Sequence, residues 1–463
     1  MHLSGKKIAV VGLGASGTAV AAFLAGRQAL VTATDSAREA DLAPAALALR
    51  DKGITLEVSG HRPEVLKEAD LVVISPGVPH DTAPLADCRA RGIPVIGEVE
   101  LAARFIDAPI VAITGTNGKT TNTILVGEML RRSGIDAFVG GNIGTPLISY
   151  VAAGKKAAVV VAEISSFQLD TIERFRPKVA VWLNIAEDHL DRYPDFDAYA
   201  RSKARIFENQ GPDDVAVLNG ADDRLVRMAA TISARKLFFG RIDAGAPPSG
   251  AEGALISESA VVFRTRWTGS GSDPQTARVP CSAIKLFGGH NLENAAAAGL
   301  AALAAGGRMA AVADTLAEFG GLPHRLEFVA AVAGVRYYDD SKATNVDAVR
   351  RAIECFTAPT VLLLGGRNKR GDFKLLEESV RRRVKQLILF GEAGEEIAAA
   401  LKGAAGIRRA DSMAEAVDTA RRIAAAGDVV LLSPGCASFD MYENYARRGE
   451  DFRRHVERHT QAT

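Results

Sequence analysis

Short apolar runs alternate with helical patterns along most of this chain, and this alternation constrains the fold more than any other feature of the sequence. In the first hundred residues it predicts one helix at 16–26 and strands at 7–11, 30–34, 69–75 and 94–97. Alternation of this kind is typical of parallel, doubly wound sheets. We therefore predict an α/β fold for this part of the chain.

Two further α/β regions follow. The central one has predicted strands at 108–114, 157–163, 179–184 and 214–219, and a predicted helix at 291–306. Between 240 and 281, Gly, Ser and Pro become frequent, with short alternating runs such as 260–266, which predicts an antiparallel β-rich section. The last region has predicted strands at 334–339, 360–364, 386–390 and 429–432. At roughly 150 residues per domain, the length fits three domains, which we place at 1–97, 98–321 and 322–463.

Charge and cysteine content exclude several classes of protein. With 56 basic and 55 acidic residues, the chain carries no overall field that would favour nucleic acid or a membrane surface. Its cysteines are far apart, which argues against a disulfide framework or a cysteine zinc site. The first strand begins too early for a signal peptide, and the Ala-rich stretch 295–305 is too short to span a bilayer. We expect a cytoplasmic monomer that neither binds nucleic acid nor enters the membrane.

A glycine-rich turn joins the first strand to the first helix. Gly12, Gly14 and Gly17 form a GxGxxG pattern, and Asp35 follows about 20 residues later at the end of the next strand. The glycines allow the backbone to approach a diphosphate at a helix N-terminus, while an acid at that distance can accept a ribose hydroxyl. A dinucleotide and a UDP group both satisfy this pattern, and a tight turn without a ligand is a third interpretation.

A second glycine-rich loop predicts ATP binding. The strand at 111–114 leads into GTNGKTT and then into an amphipathic helix. In such a loop the backbone N–H groups surround the phosphates, the lysine neutralises the β and γ oxygens, and the hydroxyl after it ligates Mg²⁺. Ile113 stands where the usual motif has its first glycine. The residues predicted to bind ATP here are Gly115, Thr116, Asn117, Gly118, Lys119, Thr120 and Thr121.

Two candidate metal ligands follow the next strands of the central region. Glu163 comes after the strand at 157–163, and His189 lies in the sequence EDHLDRYP after the strand at 179–184. Parallel sheets bind ligands at the carboxyl ends of their strands, so both side chains are expected beside the phosphate loop. The plainer interpretation of His189 is a solvated loop histidine.

Together with GNIG at 141–144, HNLEN at 290–294, LPHR at 322–325 and SKATN at 341–345, these motifs resemble the Mur ligase family over the whole chain. The resemblance implies a Rossmann-like UDP-binding domain, a central P-loop ATPase domain and a Rossmann-like C-terminal domain for the amino acid. SKATN is typical of the branch that adds D-glutamate. The implied reaction joins D-glutamate to UDP-N-acetylmuramoyl-L-alanine through an acyl phosphate, using ATP and Mg²⁺.

The same resemblance implies an unusual magnesium ligand. Lys203 lies on a helix and by itself would be taken for a surface lysine. At this position the family carries a lysine carbamylated by CO₂, which replaces a cation with an anion able to hold Mg²⁺. Carbamylation needs an amine that can lose its proton, as a desolvated lysine can. The implied metal ligands are Thr120, Glu163, His189 and carbamylated Lys203.

The resemblance also assigns the remaining site residues. For the UDP substrate it implies Gly14, Ala15, Ser16, Asp35, Ser36, Ser75, Asn142, Ser165 and His189. For ATP, beyond the loop, it implies Asn291 and Asn294 at the adenine, together with His324, Arg325 and Asp340. For glutamate it implies Thr344, Lys369, Ser438 and Tyr445. The implied catalytic residues are Lys119, Asn142, His189, Lys203 and Lys342. As alternatives, Asn291 could cap its helix and Asn294 could face the core. Arg367 departs from the family, which often has an acid there.

Three other functions remain open at this point. An NAD-dependent dehydrogenase would explain Gly12, Gly14, Gly17 and Asp35, but not Lys119, Glu163 or His189. A non-catalytic nucleotide sensor would need neither Lys203 nor SKATN. A sibling ligase of the folylpolyglutamate synthase type is disfavoured by the N-terminal domain and by Thr344.

Overall fold

The computed structural model describes residues 1–241, 252–266 and 273–461, and within these residues the strands form three sheets. The predicted α/β class is confirmed. The described chain divides into two compact units. The first contains Met1–Asn184, Asp197–Cys281 and Asn294–Thr315, and the second contains Ile185–Phe196, Ser282–Glu293 and the residues from Leu316 onward. The domain boundaries near 97 and 321 stay predictions.

The first sheet belongs to the first unit. Its strands are β1 (Lys7–Val11), β2 (Leu30–Thr34), β3 (Thr55–Glu57), β4 (Leu71–Ile74) and β5 (Val95–Gly97). The helices along it are α1 (Ala15–Gly26), α2 (Pro44–Leu47), α3 (Pro63–Lys67), α4 (Ala83–Ala90) and α5 (Glu98–Ala103). The strands are parallel in the order β3-β2-β1-β4-β5. The winding direction reverses between β1 and β4, and the carboxyl ends of two such strands are where open sheets bind ligands.

The central sheet is also in the first unit. Its strands are β6 (Ile110–Thr114), β7 (Ala137–Gly141), β8 (Val159–Glu163), β9 (Val179–Trp182), β10 (Val215–Asn219), β11 (Arg235–Arg241), β12 (Gly253–Ile256), β13 (Ala260–Thr265) and β14 (Gln275–Pro280). Their order is β14-β13-β12-β11-β10-β9-β6-β8-β7. Strands β6, β8, β9 and β10 are buried along their whole length, as expected for a parallel sheet covered on both faces.

The predicted antiparallel section is confirmed in part. Strands β12, β13 and β14 pair antiparallel, while β12 pairs parallel with β11. Residues 242–251 and 267–272 of the predicted section lie outside the described residues. The helices of this part of the chain are α6 (Lys119–Arg132), α7 (Leu147–Ala152), α8 (Ser166–Leu169), α9 (Phe196–Ala204), α10 (Asp223–Ala229), α11 (Gly289–Ala304) and α12 (Met309–Glu318).

The third sheet lies in the second unit. Its strands are β15 (Glu327–Val332), β16 (Val335–Asp339), β17 (Thr360–Gly365), β18 (Val384–Phe390), β19 (Gly406–Arg409) and β20 (Val429–Gly435). The order is β15-β16-β20-β17-β18-β19, parallel except for the β15–β16 pair. Apolar clusters cover both faces of this sheet. The accompanying helices are α13 (Val346–Glu354), α14 (Glu377–Arg383), α15 (Gly394–Ala400), α16 (Met413–Ile423) and α17 (Tyr445–Gln461).

The structure bears on membrane insertion and on cysteine pairing. Among the described residues, no helix is both long enough and apolar enough to cross a membrane. The cysteines at 88, 281, 355 and 436 all lie in the described ranges and are free thiols. This agrees with the interpretation that the chain has no disulfide framework.

Candidate active site

The predicted phosphate loop connects β6 to α6 at the carboxyl edge of the central sheet. Gly115 and Gly118 have φ values of 155° and 84°, in the region that favours glycine. A Cβ on Gly118 would approach the Asn294 amide oxygen to 2.4 Å, so this position also has no room for a side chain. The Lys119 amine donates to the carbonyl oxygens of Gly115 and Thr116, both at 2.9 Å. The lysine therefore lies over the loop that is predicted to hold the phosphates.

Asn184 braces this loop from the end of the neighbouring strand β9. Its side-chain oxygen accepts the Asn117 N–H at 2.9 Å, and its amide nitrogen donates to the Asn117 carbonyl at 3.1 Å. Its own carbonyl accepts the Thr116 N–H at 3.1 Å. Asn184 was not among the predicted site residues. The available signal was its position as the first polar residue after a buried strand.

The carboxylate of Glu163 is suited to a divalent cation. Glu163 is 2% exposed at the end of β8, and its Oε1 accepts the Asn142 side-chain amide at 2.8 Å. Its Oε2 is buried without a hydrogen-bond partner among the described residues. A buried carboxylate oxygen without a partner is costly, and Mg²⁺ prefers carboxylate and hydroxyl oxygens. The structure thus brings predicted residues Asn142 and Glu163 together, and Thr120 is the second residue of α6, the helix that follows the phosphate loop.

Lys203 is not a surface lysine. It is 1% exposed on α9, and its amine donates to the Gly115 carbonyl at 3.0 Å. The amine also lies 4.7 Å from the centre of the Tyr199 ring. Lys203 and Lys119 therefore both contact Gly115. Whether Lys203 is carbamylated stays a prediction.

His189 belongs to the second unit, and its backbone is unusual. Its φ of 57° is rare for a residue other than glycine. Its N–H donates to the Asp188 carboxylate at 2.9 Å, and its ring is about one-third exposed. Whether His189 ligates a metal stays a prediction.

The three glycines of the turn in the first sheet are not equivalent: two have no room for a side chain, and one faces open space. A Cβ on Gly17 would lie 1.8 Å from the Gly12 carbonyl oxygen, and Gly12 itself has φ 91° and no room for a side chain. A Cβ on Gly14 would meet nothing within 4 Å. Gly14 and Ala15 are exposed and Ser16 is half-buried at the start of α1. Gly14 is therefore the glycine that leaves the helix N-terminus open to a ligand.

Predicted residues that flank this turn also have structural partners. The Asp35 carboxylate accepts the N–H groups of Leu13 at 2.6 Å and Ala37 at 2.8 Å. The buried Ser75 hydroxyl donates to the Gly12 carbonyl at 2.8 Å. Ser36 is exposed beside Asp35. In the central part of the chain, Ser165 caps α8 in a capping box with Gln168. Their roles toward a UDP substrate stay predictions.

The loop that follows β16 is held by buried polar contacts. Asp340 accepts the Leu326 N–H at 3.2 Å and the Ser433 hydroxyl at 2.9 Å, and burial raises its pKa to about 7. His324 pairs with the buried Asp339 at 2.7 Å, and this hydrogen bond raises the pKa of His324 above its ordinary value. Predicted ATP residues His324, Arg325 and Asp340 thus lie close together in the second unit.

Lys369, the predicted glutamate-carboxylate residue, contacts a carboxylate of the protein. Its amine is 2.9 Å from Asp188 Oδ1, and the Asn345 side chain donates to Asp188 Oδ2 at 3.2 Å. Burial alone would raise the pKa of Asp188, but Lys369 and His189 hold it below its ordinary value. Thr344 lines the same small pocket as Lys369 and Asp188. The arrangement shows that this lysine can bind a carboxylate in this place.

Tyr445, predicted to close the glutamate pocket, contacts a second predicted residue. The Lys342 amine lies 3.7 Å from the centre of the Tyr445 ring, a cation–π contact. Ser438 is buried at 3% exposure, and its carbonyl accepts the Tyr442 N–H at 2.8 Å. The structure brings Lys342 and Tyr445 together and leaves the roles of Tyr445 and Ser438 toward glutamate as predictions.

Comparison with known proteins decides the family. The model of the Mur ligase middle domain matches residues 113–302, that of the Mur ligase glutamate ligase domain matches 324–436, and that of the MurD-like N-terminal domain matches 6–97. The chain belongs to the Mur ligase family. A UDP-N-acetylmuramoylalanine--D-glutamate ligase from Desulfosudis oleivorans is 52% identical over 96% of this chain and 95% of its own. One from Desulfatibacillum aliphaticivorans is 51% identical over 98% and 99%.

Solved structures of Mur ligases share the fold. A pseudomurein peptide ligase from Methanothermus fervidus aligns with a TM-score of 0.62 at 18% identity, covering 98% of this chain and all of that one. MurF from Thermotoga maritima in complex with ADP aligns with a TM-score of 0.60 at 17% identity, covering 92% and 95%. The predicted order of a Rossmann-like, a P-loop and a second Rossmann-like domain is therefore a Mur ligase architecture.

Membership of the Mur ligase family removes one alternative. The model that matches residues 6–97, including the GxGxxG turn, is that of a Mur ligase N-terminal domain. The dehydrogenase interpretation of that turn is not needed. The departure at Arg367 also has a local explanation, because Arg367 forms a two-pronged surface ion pair with Glu392 at 2.8 and 2.9 Å.

A buried arginine that no sequence motif indicated connects two site loops. Arg448 is fully buried on α17 and donates to the Ser341 hydroxyl, the Ser341 carbonyl and the Cys436 carbonyl at 2.9–3.1 Å. Burial lowers its pKa to about 10. It joins the SKATN loop after β16 to the loop after β20. Cys436 is buried, and burial raises the pKa of its thiol to about 12, so this thiol is not activated as a nucleophile.

The two asparagines predicted to contact adenine have distinct environments. The Asn294 side-chain oxygen accepts the Asn122 amide at 2.9 Å, close to Gly118 of the phosphate loop. The Asn291 amide donates to the Phe287 carbonyl at 2.6 Å. Through Asn122, Asn294 is packed against the phosphate loop. Contact of Asn291 or Asn294 with adenine stays a prediction.

Proposed function

We propose that this chain joins D-glutamate to UDP-N-acetylmuramoyl-L-alanine at the expense of ATP, a step in the synthesis of peptidoglycan precursors. The observation that carries the proposal is the convergence at Gly115. Lys119 and the buried Lys203 both donate to its carbonyl, and Glu163, which has an unpartnered carboxylate oxygen, ends the adjacent strand β8 opposite Ile113. The similarity to D-glutamate-adding relatives over nearly the whole chain supports the choice of substrates.

The first half-reaction activates the terminal carboxylate of the UDP substrate. A carboxylate oxygen attacks the γ-phosphorus of ATP, an O–P bond forms, and the bond to the β–γ bridging oxygen breaks to release ADP. The product is an acyl phosphate, which is needed because a carboxylate is a poor electrophile. Lys119 and the N–H groups of the loop 115–118 stabilise the charge that moves to the bridging oxygen. Catalysis here depends mainly on positioning and charge neutralisation.

Residues of the first unit fit a magnesium ion. Thr120, Glu163 and a carbamate on Lys203 would hold it, and His189 is the further ligand that the family implies. The bound ion would neutralise charge on the phosphate oxygens. To form the carbamate, the neutral Lys203 amine bonds to the carbon of CO₂ and releases a proton. Lys203 is 1% exposed, so the carbamate would be enclosed by the protein.

The second half-reaction uses the residues of the third sheet. The glutamate amine attacks the acyl carbon, a C–N bond forms, and phosphate leaves as the tetrahedral intermediate collapses with loss of an amine proton. Lys369 binds one glutamate carboxylate in place of Asp188, while Thr344, Ser438 and Tyr445 surround the other groups. Lys342 interacts with the transferred phosphate. Water has to be excluded at this stage, because it would hydrolyse the acyl phosphate.

The chain is proposed to work as a monomer in the cytoplasm, where ATP is available and its free thiols stay reduced. The test of function is phosphate release from ATP with UDP-N-acetylmuramoyl-L-alanine and each of D-glutamate, L-glutamate and D-aspartate. Turnover with D-glutamate far above the other two is expected. Equal turnover with all three, or none with any of them, would overturn the assignment. A folylpolyglutamate-type sibling would instead release phosphate with a folate substrate and L-glutamate.

A further inference from the structure

A buried carboxylate outside the predicted active site caps a helix of the central region. Glu98, the first residue of α5, is 1% exposed. Its Oε1 accepts the N–H of Ile148 at 2.7 Å, and its carboxylate also interacts with the N–H of Leu147. These two residues begin α7, whose own preceding residue, Pro146, supplies no side-chain cap. Glu98 therefore satisfies the free N–H groups of α7 from a distant point in the chain.

The loop that Glu98 holds at one end contains Asn142. The segment from Asn142 to Pro146 connects β7 to α7, and the Gly141 N–H closes it by donating to the Thr145 carbonyl at 2.9 Å. At the β7 end, the Asn142 N–H donates to the Glu163 carbonyl at 2.8 Å, and the Asn142 side chain donates to Glu163 Oε1. One end of the loop is thus fixed by the sheet and the other by Glu98.

The helix that carries Glu98 also contacts α1, the helix that begins at the proposed UDP-binding turn. Helix α5 directly follows β5, the last strand of the first sheet, and packs against both α7 and α1. Helix α7 in turn packs against α1, whose N-terminus is the open glycine turn at Gly14. The three helices pack against one another as one group, and Glu98 is a buried carboxylate within it.

We propose that Glu98 is a positioning residue for the reaction. By capping α7 it fixes the loop 142–146, and through Asn142 it fixes the direction of the Glu163 carboxylate, which would hold the magnesium ion. The inference rests on the proposed function, because it assigns Glu98 to the first half-reaction of that chemistry. It predicts an effect on turnover and magnesium use, with little effect on glutamate, whose predicted site lies in the second unit.

Two substitutions of Glu98 distinguish the effect of side-chain length from the effect of charge. Glu98→Gln keeps the length and the acceptor oxygen but removes the charge, whereas Glu98→Asp keeps the charge and is one methylene too short. Hydrogen-bond positioning predicts that Glu98→Gln stays within about twofold of the unaltered kcat, because the neutral bond still forms. It predicts that Glu98→Asp loses about tenfold in kcat, as expected when a bond of roughly 1.4 kcal/mol is lost. The half-saturating Mg²⁺ concentration should rise severalfold, and KM for glutamate should stay constant.

Glu100→Asp is the matched control on the same helix. Glu100 is also fully buried, and its carboxylate accepts the N–H groups of Glu173, Arg174 and Phe175 at 2.9–3.0 Å. That segment carries no predicted site residue. Glu100→Asp should therefore lower the melting temperature while leaving kcat and the Mg²⁺ requirement unchanged. Equal kinetic losses in the two Asp variants would overturn the proposal in favour of a general packing effect.

Hydrogen exchange supplies a readout that does not depend on activity. In Glu98→Asp, the backbone amides of 141–150 should exchange about tenfold faster, while those of the phosphate loop 115–121 should be unchanged. A loosened segment with unchanged kcat, or a lowered kcat without faster exchange at 141–150, would each overturn the proposal. If the unaltered protein released no phosphate with the UDP substrate, the proposed function would fail, whereas the exchange data would still report whether Glu98 fixes the loop.

Discussion

The amine of Lys369 lies 2.9 Å from the carboxylate of Asp188 in the second compact unit. Asp188 is almost completely buried, and Asn345 donates to its other oxygen. Lys369 is thus held by an internal carboxylate at the position where the family resemblance places a carboxylate of glutamate. The positive charge of Lys369 stabilises the folded protein in the absence of substrate, and the same charge is available to a carboxylate of glutamate when substrate binds.

Lys369→Ala should raise KM for glutamate by roughly 10-fold to 100-fold, the scale of one charge-assisted contact. It should also destabilise the fold by about 2 kcal/mol, because Asp188 loses a partner while buried. Steady-state kinetics and denaturant unfolding measure the two effects. Arg367→Ala is the control, since Arg367 pairs with Glu392 on the surface two residues away and should affect neither quantity appreciably. An unchanged KM for glutamate would place the pocket elsewhere in the third sheet's loops.

Lys119→Ala should lower kcat by about 10²-fold or more, because it removes one preorganised positive partner of the transferred phosphoryl group. The melting temperature should change little, since Lys119 is only partly buried and bonds to carbonyls of its own loop. Arg131→Ala, near the end of the same helix α6, should retain full turnover. Near-normal kcat in Lys119→Ala would show that this loop does not carry the γ-phosphate.

Gly14→Val should raise KM for the UDP substrate while leaving the KM for ATP and the melting temperature nearly unchanged. The added side chain meets open space in the protein but blocks the approach of a diphosphate to the start of α1. Gly17→Ala is the contrasting variant, because its Cβ would collide with the Gly12 carbonyl at 1.8 Å and so lower stability. Selective loss of ATP binding in Gly14→Val would contradict the assignment of this turn to the UDP group.

Lys203→Ala should lose most activity, and millimolar formate or acetate should restore part of it. Removal of the side chain leaves a buried space beside Gly115 into which a small carboxylate can bring the missing negative charge. Chloride at equal ionic strength should not restore activity. In the unaltered protein, electron density at the Lys203 amine should show the three extra heavy atoms of a carbamate. A fully active alanine variant would remove Lys203 from the metal site, and an inactive one that no carboxylate rescues would favour a structural role.

Glu98→Gln should become more stable relative to the unaltered protein as the pH rises from about 5 to 8. Burial raises the pKa of Glu98 from its ordinary value of 4.5 to about 7 in the folded state. Between these values the folded protein binds a proton that the unfolded chain has released, so stability falls as pH rises. The relative gain of the Gln variant should reach about 3 kcal/mol at pH 8. Urea unfolding across this range measures it, and a pH-independent difference would mean that Glu98 titrates normally.

The sequence predicted most interior strands of the sheets and missed most edge strands. The predicted strands at 7–11 and 30–34 coincide with β1 and β2, and those near 110, 160 and 180 became β6, β8 and β9. These strands are covered on both faces and read as continuous apolar runs. Strands β3, β7, β15 and β19, each at the edge of its sheet, were not predicted; the interior strand β11 was also missed, while the edge strand β5 was predicted at 94–97. An edge strand is partly exposed, so its residues carry no clear apolar pattern.

The sequence also determined the local chemistry of the site. A strand, a glycine-rich loop with Lys119 and a following helix are contiguous, and their geometry follows from local backbone requirements such as the positive φ of Gly118. Only the tertiary structure decided which residues support that chemistry. Asn184 braces Asn117 across 67 residues, Glu98 caps Ile148 across 50, and Arg448 bonds to Ser341 across 107. Contacts of this kind depend on how strands and helices are ordered in space, and no spacing within the sequence encodes that order.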